Sequence, residues 1–303
     1  MQKNKRSFNA AQTLFFMLVL ALISGLTLSV IAFTLKNPQE KSRQLYKNKQ
    51  LLIAAKILSY RESFILPALD DHVIPARYDE KTGILIPSSK EKTAKDALIE
   101  QVATKRLEMR LTDSLGQLYT FDELEINQYD YLQMHEKTGY ANLPYKLVYI
   151  ISQNNPDNTP LPYGYVLPIN GYGLWGKIYG YLGLKADANT ILAITWYKQQ
   201  ETPGLGGDIS LPKWQKQFQG KQIFQQNDKG VTLFQIAPLG IRILKPGVKE
   251  TLNSFALQSS VDGIAGASAT MRGVSQALND SLTPYRPFLI WAHNRFLQTT
   301  QGS

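Results

Sequence analysis

Three short segments combine the residue types from which a ligand site is built. They are Gly171-Tyr172-Gly173-Leu174-Trp175-Gly176, Glu201-Thr202-Pro203-Gly204-Leu205-Gly206-Gly207 and Asp262-Gly263-Ile264-Ala265-Gly266-Ala267-Ser268-Ala269-Thr270. Clustered glycines let backbone N–H groups approach a ligand closely, and anions are commonly held where such a loop opens a helix. The third segment adds two hydroxyls, Ser268 and Thr270. No Gly-Lys-Ser/Thr ends the second segment, and the first lacks G-x-G-x-x-G spacing in a strand-to-helix context, so Walker A and Rossmann readings both fail. Taken singly, each segment reads as a tight turn between strands, and Gly266 to Thr270 as a small-residue helix start with Ser268 as N-cap. Their presence together in one chain shifts the reading towards a cofactor site.

Other chemistry is thin. The chain has no cysteine, which excludes thiol catalysis, disulfides, cysteine-ligated iron–sulfur clusters and Cys-type zinc sites within it. His72, His135 and His293 are far apart, and none has a partner at metal-ligand spacing, so no metal site is expected. The acidic clusters Asp70-Asp71 and Glu123 to Glu125 read as solvated, and no serine–histidine–acid arrangement stands out. A net charge of +9 raises the question of nucleic acid, but Lys and Arg are spread along the chain with no basic run interleaved with aromatics. A basic surface near anionic lipid or acidic partners fits better, and nucleic-acid binding is not expected.

The elements that must position these residues begin with an anchor. No charged side chain occurs from Ser7 to Leu35, and positions 13–35 read TLFFMLVLALISGLTLSVIAFTL. At about 1.5 Å per residue that run covers roughly 34 Å, enough to cross a bilayer core. It is too long for a signal-peptide apolar region and ends in Thr34-Leu35-Lys36 without a small-x-small site, which favours an uncleaved transmembrane helix. Lys3, Lys5 and Arg6 precede it while Lys36, Lys41, Arg43, Lys47 and Lys49 follow, so the positive-inside rule leaves orientation open. Asn37-Pro38 should break the span, with a new juxtamembrane helix over 39–60 whose Leu45, Leu51, Leu52, Ala55 and Leu58 fall at roughly helical spacing.

Beyond it, Ile84 to Ile86 and Leu147 to Ile151 read as strands, Ala94 to Arg110 as a helix, and the stretch from Ser152 (SQNNPDNTPLP) as a loop. From Tyr163 come GYVLPI, KIYGYLGLKA and TILAITWY as successive strands, then helices at Lys213 to Gln219 and Thr270 to Leu282, the last closed by Thr283-Pro284. Runs of strands with irregularly placed helices predict an α+β fold. The resulting divisions are 1–12, an anchor at 13–35, a juxtamembrane segment at 36–60, a mixed α/β part at 61–160, a main domain at 161–290 and a tail at 291–303.

Three stretches carry a resemblance: PQEKSRQLYKNKQLLIAAKIL after the span, GYGLWGKIYGYLGLKADANTILAITWYKQQETPGLGGDISLPKWQKQFQGK in the middle, and VDGIAGASATMRGV near the end. The chain resembles the NqrC family, the flavin-bearing subunits of sodium-translocating NADH:quinone reductases, which is related to the FMN-binding subunit of the Rnf electron-transport complex. The resemblance implies one N-terminal helix with a short cytoplasmic end, and an FMN-binding domain, here 161–290, on the periplasmic side of the cell inner membrane. In this family a separate flavin transferase joins FMN through a phosphoester to the last residue of D-x-x-S/T-G-A-T. Aligned here, Asp262 takes the acidic position, Gly266 and Ala267 match G-A, and Ser268 falls on the acceptor. Ala265 replaces the usual Ser/Thr, and Ser268 the usual Thr. Thr270 is the alternative hydroxyl, and the Gly-Ala before Ser268 sets the register in its favour. At a helix start the phosphate would meet unpaired N–H groups and the positive end of the dipole.

Glu201, Thr202, Gly204, Leu205 and Gly206 resemble the family's second flavin loop. There, backbone N–H groups and the Thr hydroxyl would meet the polar edge of the isoalloxazine and Leu205 would cover its face. Trp175 either packs near the ring or fills a core. The function implied is an electron relay between partner membrane subunits towards quinone, with NADH and quinone bound elsewhere in the complex. Two alternatives stay open: an Rnf-type protein, and a structural subunit that has lost its flavin.

Overall fold

The computed structural model describes residues 9–68, 72–154, 161–248 and 251–301. Asp70-Asp71, Lys3, Lys5, Arg6 and most of the loop from Ser152 lie outside them. Two compact units divide the chain between Tyr46 and Lys47.

The first unit is helical. Helix α1 runs Ala10–Ala54 with Pro38 in its interior, so the expected break at Asn37-Pro38 does not occur. An interior proline removes one hydrogen bond and costs about 3 kcal/mol. The carbonyl it strands, that of Thr34, lies where the helix is exposed. The flanking turns therefore hold one helix. Within α1 lies a window apolar and long enough to cross a membrane, none of it buried. The helix ends earlier than expected: Ala54 is its last residue and Lys56 takes a positive φ of 59°.

The second unit opens with a small antiparallel sheet, β1 (Ile65–Pro67), β2 (Val73–Asp79) and β3 (Ile84–Pro87). Next come α2 (Asp96–Arg106), β4 (Leu107–Thr112), β5 (Leu118–Tyr119), α3 (Gln128–His135), β6 (Lys146–Ile151), β7 (Gly164–Tyr172), β8 (Lys177–Lys185) and β9 (Ile191–Lys198). Their six strands form one antiparallel sheet in the order β5-β4-β6-β7-β8-β9, drawing on residues either side of position 160. The helix expected to reach Arg110 stops at Arg106, where Leu107 turns extended (φ −118°, ψ 101°). Leu107 to Thr112 pair along the whole of β6, and sheet pairing overrides the helix preference of Leu, Glu, Met and Arg.

The chain ends with α4 (Pro212–Gln215), β10 (Arg242–Leu244), α5 (Ser254–Leu257), β11 (Ser260–Asp262), α6 (Ser268–Leu282) and α7 (Arg286–Gln301), with β10 and β11 paired in parallel. The expected helix Lys213 to Gln219 is split into α4 and a 3-10 turn at Lys216–Phe218. Thr283-Pro284 does not end helical structure: a 3-10 turn at Thr283–Tyr285 leads into α7, so most of the expected tail from 291 is helix, with Ala292 buried. Both prolines nearby, Pro284 and Pro287, occupy first-turn positions, where proline removes no needed donor.

Helix α6 presents Met271, Val274, Ala277 and Leu278 on its buried face, the i, i+3, i+4 spacing of a core-facing stripe. It lies hard against β7, since a Cβ on Gly171 would come 2.4 Å from that of Ala277. Strand pairing sets Leu182 and Leu184 beside Leu167 and Tyr165 on this side, where Phe288 of α7 meets Tyr165 edge-on. The opposite side of β8 carries Tyr181 and Gly183, and there a Cβ on Gly183 would strike the Ala54 carbonyl. With both faces covered, β8 reads as a continuous apolar run rather than alternating.

Candidate functional site

The three glycine-rich segments converge at one end of this framework. The turn from β7 to β8 is closed by the Gly173 N–H donating to the Gly176 carbonyl at 2.8 Å. It holds Leu174 and Trp175 out in solvent, 56% and 67% exposed. Trp175 therefore fills no core. Its indole N–H donates to the Thr202 hydroxyl at 3.1 Å, tying the turn to the second segment.

Glu201, three residues beyond the end of β9 at Lys198, is 5% exposed, the one buried carboxylate among the described residues. Its oxygens accept from the N–H groups of Leu174 (3.1 Å) and Trp175 (2.9 Å) and from the Thr270 hydroxyl on α6. Burial pushes its pKa up, but the Thr270 hydroxyl and the N–H groups of Trp175, Leu174 and Gly176 outweigh it, leaving a carboxylate below its ordinary range. The sequence sets Glu201 among the ligand-facing residues of its loop. The fold turns its side chain inward, among donors from two other segments. The loop's own N–H groups are likewise engaged: Gly204 donates to Asp208 Oδ1 (2.9 Å), while Leu205 and Gly207 donate to the Thr202 carbonyl at 3.1 and 2.9 Å. These three N–H groups close the loop. Gly204 has a φ of +76°, which glycine adopts without strain.

Leu205, 42% exposed, reaches across to the third segment, where a Cβ on Gly266 would stand 3.0 Å from its Cδ2. Gly266 itself has a φ of +78°. The turn it makes ends at Ala267, the N-cap of α6. Ser268 is thus the first helical residue and not the cap, and its side chain is exposed. Thr270 is 2% exposed with its hydroxyl on Glu201.

A groove of about 440 Å³ opens at the start of α6, lined among others by Gly263, Gly266, Ser268, Lys245 and Arg272. Arg272 stands four residues after Ser268, one turn along the same helical face. Asp262, at the end of β11, is fixed through its backbone: its carbonyl accepts from Trp214 Nε1 (2.8 Å) and Gln217 Nε2 (3.3 Å), and its N–H donates to Gln217 Oε1 (3.1 Å).

Sequence reading missed Lys245, Arg272, Asp208, Trp214 and Gln217. The i+4 spacing from Ser268 was a usable signal for Arg272, and Asp208, four residues after Gly204, for the loop closure; the others carry no local mark. The histidines stay apart from this site: His135 stacks edge-on with Tyr131, and His293 Nδ1 lies 2.7 Å from the Asp187 carbonyl. No group of His, Asp and Glu suited to a metal occurs among the described residues.

A family model described as FMN-binding domain matches residues 173–283, taking in the exposed turn, the Glu201 loop and the Ser268 segment. The NqrC protein of the Na(+)-translocating NADH-quinone reductase of Chlamydia pneumoniae is 35% identical over 288 residues, covering 91% of this chain and 90% of that protein. Its counterpart in Chlamydia muridarum is 36% identical over 294 residues, covering 92% and 91%. The crystal structure of the corresponding protein from Parabacteroides distasonis shares the fold, with a TM-score of 0.54 at 23% identity, covering 84% of this chain and 96% of that one. Identity at this level over nearly the whole of both chains, on the same fold, places the chain in the NqrC family of Na(+)-translocating NADH-quinone reductase subunits.

Proposed function

We propose that the chain is the FMN-carrying electron-transfer subunit of a sodium-translocating NADH:quinone reductase, with the flavin phosphate esterified to Ser268. The observation that carries this reading is the contrast between two hydroxyls of one helix. Ser268 is exposed at the mouth of a groove lined by Lys245 and Arg272, whereas Thr270 is buried and bonded to Glu201. A phosphodiester on Ser268 Oγ keeps one negative charge. The two cations, the first-turn N–H groups of α6 and its dipole all suit that charge. Leu205 approaches Gly266 of the groove lining, and with the exposed Leu174 and Trp175 it offers an apolar rim of the kind an aromatic ring system covers. Gly204, Gly206, Gly266 and Ala267 keep that rim and the helix start free of bulk, and Asp262 and Thr202 brace them.

FMN supplies one- and two-electron transfer through its ring; the protein supplies position and field. Attachment replaces the Ser268 hydroxyl hydrogen with the flavin phosphate, so relative to free FMN one water is lost. The transferase that catalyses it must reach Ser268, and the exposure of Ala265, Gly266 and Ser268 leaves the segment open to it. Ala265 lacks the hydroxyl usual at its position, which supports a second reading, a structural subunit without flavin. The apolar window in α1 serves as the single membrane anchor. The bulk of the chain lies on the periplasmic side among the other membrane subunits of the reductase, which bind NADH and quinone.

Co-expressed with a flavin transferase, the wild type should show in-gel fluorescence that survives denaturation, and Ser268→Ala should not. Ser268→Thr should retain it. Thr270→Ala should retain it too, at a stability cost of about 1–2 kcal/mol for the donor lost to Glu201. Peptide mass mapping should find the mass of FMN less water on the fragment containing Ser268. Fluorescence that persists in Ser268→Ala and vanishes in Thr270→Ala would move the site to Thr270. A dark wild type would favour the structural role.

A further inference from the structure

Glu201 stands apart from every other acid among the described residues. It is the one that is buried, and no Lys or Arg is paired with it among them. A buried carboxylate without a cation is costly unless donors surround it, and here they come from two other segments: Leu174 and Trp175 N–H from the exposed turn, and the Thr270 hydroxyl from α6. Neighbouring backbone is shaped around it. A Cβ on Gly173 would fall 2.4 Å from Glu201 Oε1, and one on Gly206 would fall 2.8 Å from Oε2 and 2.3 Å from the Thr270 Oγ1. Thr270 lies two residues beyond Ser268, so the carboxylate joins the exposed Leu174 and Trp175 turn to the helix that carries Ser268.

We propose that Glu201 is a positioning residue for the flavin: its carboxylate clasps the rim to the acceptor helix, and its fixed negative charge lowers the flavin's reduction potential. The proposal rests on the reading that FMN is held at Ser268. A negative charge in a poorly solvated setting disfavours a reduced flavin that carries negative charge, and donor groups that stabilise the carboxylate keep it ionised as electrons arrive.

The test uses the full chain co-expressed with a flavin transferase, with midpoint potentials from spectroelectrochemical titration. Glu201→Gln, which keeps the shape and removes the charge, should retain covalent FMN and shift the midpoint to more positive potential. Glu201→Asp should shift it less. Thr270→Val keeps the charge and removes one donor, so its potential should stay at or below that of the wild type. A flavinylated Glu201→Gln with the wild-type potential overturns the electrostatic role. A positive shift in Thr270→Val equal to that in Glu201→Gln overturns it as well, since packing rather than charge would then be sensed.

The clasp has its own readout in flavin-free protein, the hydrogen exchange of the Leu174 and Trp175 amides. Both should exchange markedly faster in Glu201→Ala than in the wild type, and unchanged rates overturn the clasp. A wild type that carries no covalent FMN overturns the attachment reading and with it the effect on potential, while amide exchange still decides the clasp.

Discussion

Ser268 and Thr270 are two positions apart on one helix, about 200° around its axis. One of them can face the groove, and burial of Thr270 against Glu201 makes that one Ser268. The same hydrogen bond has a consequence for stability. The folded-state pKa of Glu201 is lowered by its donors, so the carboxylate contributes stability that is fully present above its unfolded value of about 4.3 and is lost as pH falls through the folded value. Denaturation of the flavin-free protein should therefore show wild type and Glu201→Gln separated by a constant gap above about pH 5 that narrows below about pH 4. A gap that is flat across the acid range, or that widens, would contradict the placement of the charge.

Elements hold this geometry through a few long-range contacts. Helix α6 is pressed on β7, and the turn after it plants Tyr285, fully buried, with its hydroxyl donating to the Leu147 carbonyl of β6 at 2.7 Å. Burial drives the Tyr285 pKa far up, so the hydroxyl is a donor throughout the working range. Tyr285→Phe should destabilise by about 1–2 kcal/mol in chemical denaturation while flavin attachment persists, because the ring still fills the core. An unchanged stability would mean that this contact does not anchor the C-terminal end of α6. Helix α1 makes the complementary point: Pro38 is tolerated inside it because the carbonyl it strands is exposed.

At the scale of the whole molecule, a helical unit ending at Tyr46 precedes a compact unit from Lys47 onward. The one helix apolar and long enough to cross a membrane, among the described residues, belongs mostly to the first. Charges flank the apolar run on both sides, so the positive-inside count does not select an orientation. The topology proposed above puts the second unit on the periplasmic side. A reporter active only in the cytoplasm, fused after Ser303, should accordingly stay silent, and a bright signal would reverse the topology.

Local sequence by itself determined the apolar span, the β7, β8 and β9 runs and the clustering of glycines with hydroxyls, because hydropathy, strand periodicity and turn chemistry are properties of residues within a few positions of one another. Family resemblance, carried by those same motifs, marked Ser268. Tertiary structure alone decided that Glu201 faces inward, that Thr270 is withheld, that Lys245 and Arg272 line one groove with Ser268, and that the helix after Asp96 stops at Arg106. The Glu201–Thr270 bond joins residues 69 positions apart. No local pattern encodes which donors will surround a carboxylate when α6 packs on β7, since that follows from burial of the whole domain and the requirement that each buried polar group find a partner.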